Sequence, residues 1–265
     1  MVFNPKVKYK DKLKGVSKMT CIIGGKCKDG VVLVADRKVT DEETGQVEYR
    51  EKLFIFQKDF FYYPIVIGSS GTIGLYDKFK REAVERLEKI NPPSFDSKGF
   101  DHVGFDTSVS GTIYPYTSMD TTSRQVILHP YLEGLEDIIK RYKSKNAGIF
   151  DVLFAAQVKY RGAILSYITK NGLSEDVDKH KVIGSAEIAA NVFLKIINPN
   201  DMTMDRFGKL GFFIIKFIEE RGIDNKVGVG KGEPQIYFIP NEGHLIQADS
   251  NFLEECNLLQ KNLRI

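Results

Sequence analysis

Strand-like runs in this chain come in pairs across short turns, and its helical runs also come in pairs. Cys21 to Cys27 and Val31 to Ala35 are apolar, β-branched runs joined by Lys28-Asp29-Gly30, and Asp-Gly between such runs is a strong hairpin signal. Leu53 to Phe56 and Phe60 to Ile67 flank Lys58-Asp59, and Asp151 to Val158 and Ala163 to Thr169 flank Tyr160-Arg161-Gly162. A last pair, Gln235 to Ile239 and His244 to Ile246, encloses Pro240-Asn241-Glu242-Gly243 and is expected to close the chain. Strands joined by tight turns pair antiparallel.

The helical runs have the other period. Tyr76, Phe79, Ala83, Leu87 and Ile90 recur at three- and four-residue spacing until Asn91-Pro92-Pro93 stops them. Leu128, Leu132, Leu135 and Ile139 mark a second helix over Leu128 to Tyr142. Two more are expected over Ala186 to Ile197 and Met204 to Arg221, the latter with Phe207, Leu210, Ile214 and Phe217 on one stripe. Helices arriving in pairs can cover a sheet face, which predicts an α+β domain of two packed antiparallel sheets with outer helix layers. Residues 94–126, rich in Ser, Thr, Gly and Asp and without periodicity, are expected to form an insertion or long loop.

Composition narrows the function classes. The longest apolar stretches fall far short of the ~20 residues of a membrane span. The formal net charge of +3 comes from the first nineteen residues, which hold six lysines against one aspartate and leave the remainder near −2. A basic nucleic-acid surface is therefore not expected on the body of the protein, and residues 1–19 are expected to be a solvated leader lacking a signal-peptide core. The three cysteines form no CxxC pair and the four histidines lack ligand spacing, so neither a metal nor another cofactor is expected. The low, odd cysteine count points to a reducing compartment, with the cytoplasm as the default.

Familiar catalytic signatures are absent. Gly68-Ser69-Ser70-Gly71-Thr72-Ile73-Gly74 is not G-x-G-x-x-G, and Gly228-Val229-Gly230-Lys231-Gly232 lacks the Ser or Thr and the spacing of a P-loop. No Gly-x-Ser-x-Gly elbow occurs. What remains is Met19-Thr20-Cys21-Ile22-Ile23-Gly24-Gly25, a hydroxyl residue at the mouth of the first strand. From the residues alone it is a strand-edge threonine.

The run from Thr20 through Cys-Ile-Ile-Gly-Gly-Lys-Cys-Lys-Asp-Gly-Val-Val-Leu-Val-Ala to Asp36, followed by Glu51-Lys52-Leu53-Phe54-Ile55-Phe56, resembles the opening of a proteasome β subunit. More loosely, the similarity extends over most of residues 20–250. It implies the fold of the N-terminal-nucleophile hydrolases, a four-layer αββα sandwich, over a domain of residues 20–265 exposed by removal of 1–19. Thr20 would then be nucleophile and, through its own α-amine, base; Lys52 would lower the pKa of both groups, and Asp36 would hold Lys52. Gly68 in Val66-Ile67-Gly68 resembles the source of the oxyanion-hole amide, and Ser185 in Val182-Ile183-Gly184-Ser185 the serine beside the nucleophile. Asp224 matches the family's acidic supporting residue, although the serine expected three positions later is Val227.

The resemblance further implies a threonine endopeptidase acting on peptide or unfolded-protein substrates. Its expected assembly is a homo-oligomeric ring, with α-type subunits and a regulatory ATPase as candidate partners. Two alternatives share the residues: an amidohydrolase or transpeptidase outside the proteasome, and a catalytically inert structural subunit. The Met19-Thr20 junction resembles that of the bacterial two-component relative, where methionine removal suffices, so Met19 is an alternative expected start.

Overall fold

In the computed structural model the described residues are 20–40, 47–57, 64–70, 73–90, 122–144, 151–158, 162–197, 201–223 and 232–262. They form an α+β fold of two five-stranded antiparallel sheets, a two-stranded ribbon and five helices. The first sheet contains β1 (Cys21–Cys27), β2 (Gly30–Ala35), β10 (His180–Gly184), β11 (Gln235–Pro240) and β12 (Ile246–Gln247), in the order β10-β1-β2-β11-β12. The second contains β5 (Leu53–Phe56), β6 (Ile65–Ser70), β7 (Asp151–Val158), β8 (Gly162–Ile168) and β9 (Ser174–Asp176), in sequence order. The ribbon is β3 (Lys38–Thr40) with β4 (Val47–Tyr49).

All four expected strand pairs are antiparallel, but the partner of β5 is Ile65–Ser70 rather than Phe60 to Ile67, and residues 58–63, with the expected turn, lie outside the described residues. Their alternation sorts side chains between layers of core. In β2, Val32 and Val34 join a cluster with helices α3 (Glu187–Ile197) and α4 (Met204–Glu220), while Val31, Leu33 and Ala35 join one with residues of the second sheet. In β7, Val152, Phe154 and Ala156 meet helices α1 (Ile73–Glu88) and α2 (Thr122–Ser144), while Leu153 and Ala155 face the first sheet's residues. Both faces are buried, which is why Val31 to Ala35 is continuously apolar rather than alternating.

Glycines set the helix approach. A Cβ on Gly211 of α4 would lie 2.7 Å from Val34 Cγ2, and one on Gly25 of β1 would lie 2.2 Å from the Phe207 ring, so α4 seats directly on β1 and β2. On the expected α4 stripe Phe207 and Ile214 are buried, with Leu210 and Phe217 half-buried. Among the described residues no helix is long and apolar enough to cross a membrane.

Several expectations need correction. A hairpin does not close the chain, because α5 (Ser250–Asn262) follows it, its first turn capped by Asp249 Oδ1 accepting from the Phe252 N–H at 2.9 Å. The last strand is Ile246–Gln247 rather than His244 to Ile246, paired with only Tyr237 and Phe238. Residues 122–126, assigned to the insertion, are the first turns of α2; the part of 94–126 before Thr122, the leader 1–19, Asp224 and Gly228 to Lys231 lie outside the described residues.

Candidate functional site

The end of β1 that carries Thr20 is held on both sides by neighbouring strands. On one side Cys21 lies opposite Gly184 of β10, and the Ser185 N–H donates to the Thr20 carbonyl at 2.8 Å. Gly184 has φ +109°, and a Cβ there would stand 1.8 Å from the Thr20 carbonyl oxygen, so only glycine lets β10 close on Thr20. On the other side the Asp36 N–H donates to the Cys21 carbonyl at 3.0 Å, and the Cys21 N–H donates to Asp36 Oδ1 at 2.8 Å. Thr20 is 3% exposed in the full-length chain.

Asp36 connects this end of β1 to Lys52. The Lys52 Nζ donates to the same Oδ1 at 2.8 Å and to the Lys38 carbonyl at 2.6 Å. The side chains are 4% exposed for Lys52 and fully buried for Asp36. Burying two charges carries a desolvation cost of several kcal/mol per ion, so such a pair is sustained by close geometry and further hydrogen bonds, and removal of one partner is severe. Through Asp36 the Lys52 side chain is thus linked to the amide of Cys21, the residue next to Thr20.

Lys52 immediately precedes β5, whose Leu53 lies opposite Gly68 of β6. A Cβ on Gly68 would come within 2.6 Å of Leu53 Cδ2 and 3.0 Å of Ile22 Cδ1, so the bare position lets β1 and β5 pack onto β6 next to the ion pair. The Ser185 Oγ is buried and has no hydrogen-bond partner among the described residues. The structure thus brings Thr20, Asp36, Lys52 and Ser185 to neighbouring strand ends and places Gly68 inside β6, between Leu53 and Leu153, while Asp224 is not among the described residues.

Other nucleophiles are badly placed. The Cys21 side chain is buried in the cluster beneath α3 and α4, on the face of β1 opposite that of Ile22. Burial pushes the Cys27 thiol up to about 12, with Asp29 adding to the shift, and places it at the far end of β1. His180 pairs with Gly25, four strand positions from Gly184, or roughly 13 Å at the usual rise per residue. Burial also pulls its imidazole below the ordinary histidine range, with Lys179 contributing.

Sequence reasoning missed two participants in this geometry. One is Gly184, singled out only as part of the stretch leading to Ser185. The other is Gln235, the first residue of β11, whose carboxamide makes three hydrogen bonds to the backbone at Lys52 and Leu53. A buried glutamine at a strand start carries no spacing signal of its own; pairing of Gln235 with Ala35 beside Asp36 becomes visible only when β11 is laid against β2.

The sequence matches no family model and no curated protein. Solved structures do match. Anbu from Hyphomicrobium sp. strain MC1 superposes with a TM-score of 0.62 at 15% identity, covering 92% of this chain and 95% of that one. A Gly-1 mutant of Anbu from the same strain gives 0.60 at 13%, with the same coverage. Anbu from Yersinia bercovieri, described as an ancestral beta-subunit, gives 0.62 at 12%, covering 92% and 94%. These findings overturn the assignment to the proteasome β subunits, because Anbu proteins are proteasome-like but a distinct family. The motif behind that assignment, a residue at the start of β1 followed by an aspartate and a lysine, is short, and so short a pattern does not discriminate families sharing an architecture. At this identity the likeness establishes the fold: the chain has the architecture of the Anbu proteins over nearly its whole length.

Proposed function

We propose that this chain is an N-terminal-nucleophile threonine peptidase of Anbu-like fold, with Thr20 as the reacting residue once residues 1–19 are removed. The observation that carries the reading is the buried Lys52–Asp36 pair, whose carboxylate also holds the amide next to Thr20. A buried ammonium held in this way favours loss of protons from neighbouring groups.

In the trimmed chain the Thr20 α-amine, with a reference pKa of ~8, takes the proton of the Thr20 hydroxyl while Oγ attacks the substrate carbonyl carbon. The resulting oxyanion needs a backbone N–H donor; the sequence suggests Gly68 for this role, although that residue lies inside β6, paired with Leu53 and Leu153. The C–N bond then breaks, the proton passes to the leaving amine, and water hydrolyses the Thr20 ester to restore the free hydroxyl. Ser185 Oγ is available to hold the new amine, and Asp224 keeps the supporting role that the sequence suggests.

We infer in addition that the sheets and helices stack as a four-layer αββα sandwich; the separation of the core into two sheet–helix clusters and one sheet–sheet cluster supports it. Self-association is the expected state. Supporting it, α3 exposes Ile188 at 83%, Val192 at 51% and Ile196 at 76%, one stripe opposite its buried Ala190 and Leu194.

Mass spectrometry of the purified protein, together with turnover of fluorogenic peptides, tests the proposal. Chains starting at Thr20 should be active, Thr20→Ala inert, and Thr20→Ser partly active because it retains hydroxyl and amine. An uncleaved chain that turned over peptides as fast as the trimmed one would overturn the mechanism.

A further inference from the structure

We propose that Gln235 is a positioning residue for the site, acting through Lys52; this rests on the function proposed above. Its Oε1 accepts from the N–H groups of Lys52 at 3.0 Å and Leu53 at 2.9 Å, and its Nε2 donates to the Leu53 carbonyl at 2.9 Å. The carboxamide thus takes the place of a neighbouring strand at the point where β5 begins. It is 1% exposed, and in that setting each of these backbone groups would otherwise be an unsatisfied polar group costing about 1–3 kcal/mol.

The placement gives these bonds a consequence beyond satisfying the backbone. Gln235 belongs to the first sheet and lies opposite Ala35, the residue before Asp36; Lys52 belongs to the connection entering the second sheet. A single side chain therefore fixes the Lys52 backbone relative to the strand that ends at Asp36, across the gap between sheets. The Lys52 Nζ reaches Asp36 Oδ1 at 2.8 Å from a stem of four methylenes, a flexible reach whose origin must be fixed for the ammonium to stay in place. Because a misplacement of about 1 Å can cost on the order of a hundredfold in rate, a residue that sets this origin controls turnover without touching substrate.

The test is a double-mutant cycle on the trimmed protein with a fluorogenic peptide. Gln235→Leu should lower kcat at least tenfold with KM within twofold, whereas in a Lys52→Ala background the same change should leave the residual kcat unaltered. Gln235→Glu keeps the acceptor for both N–H groups and should retain more activity than Gln235→Leu; it also serves if the leucine variant fails to fold. A kcat unchanged in both variants, or a loss that adds fully to that of Lys52→Ala, overturns the proposal. Failure of the underlying function is separable, since in that case the trimmed parent protein would not turn over the peptide, or Lys52→Ala alone would leave its rate unchanged.

Discussion

Replacing Asp36 by alanine is expected to be among the most destabilising single changes on the first sheet, and its magnitude follows from what Oδ1 accepts. The Lys52 ammonium, 4% exposed, would lose its carboxylate, and uncompensated buried charges cost about 3–5 kcal/mol. The Cys21 N–H would lose its acceptor, adding about 1–3 kcal/mol. Lys52 keeps its bond to the Lys38 carbonyl, which softens the first contribution. A net loss of about 4 kcal/mol is expected, against a typical domain stability of about 5–15 kcal/mol. At roughly 2–4 °C per kcal/mol for a chain of this size, the midpoint of thermal unfolding should fall by about 8–16 °C. The double change Asp36→Ala with Lys52→Met removes the stranded charge and should recover at least about 2 kcal/mol. Urea unfolding followed by circular dichroism at 25 °C, with m-values compared across the set, measures each quantity. An Asp36→Ala protein within about 1 kcal/mol of the parent, or a double variant showing the full sum of the two single losses, would refute the reasoning.

Gly184→Ala should destabilise the protein by at least about 2 kcal/mol and block formation of an active Thr20 terminus, since φ +109° and a 1.8 Å approach to the Thr20 carbonyl leave no room for a Cβ; thermal melts and N-terminal mass analysis check both, and a normally stable, trimmed variant would contradict it. For assembly, the chain should sediment well above its single-chain mass of 30.0 kDa, and Ile188→Glu with Ile196→Glu should shift it toward that mass. Sedimentation of the parent protein at 30.0 kDa would remove the support that the α3 stripe lends to self-association.

The elements legible in the sequence are those whose apolar run is either continuous or periodic. β1, β2, β5, β7 and β8 stand out because both faces enter a core, and α1 because Phe79, Ala83 and Leu87 repeat on one buried face. α5 was not legible because its buried Cys256 and Gln260 are a weak signal, while Leu258 and Leu259 are exposed and blur the stripe. β10 was hidden for another reason: it is a short edge strand whose identity as a strand depends on pairing with β1, 150 or more residues earlier. At the candidate site, Thr20, Asp36 and Lys52 are singled out through the resemblance that their spacing carries, whereas the contacts of Gln235 and Gly184 arise only from the fold. The family assignment failed because so short a pattern does not discriminate families that share a fold, and no family model matches the chain.

The attachments of Thr20 have a consequence for how the chain could change form. Its carbonyl is held by the Ser185 amide, and the next residue is fastened to Asp36 in both directions. Every one of these bonds lies on the C-terminal side of the Met19–Thr20 peptide linkage. A cut at that linkage would sever none of them, so the new terminus would keep these attachments. Precursor and product would share one scaffold, and activation would be a local chemical event rather than a refolding step.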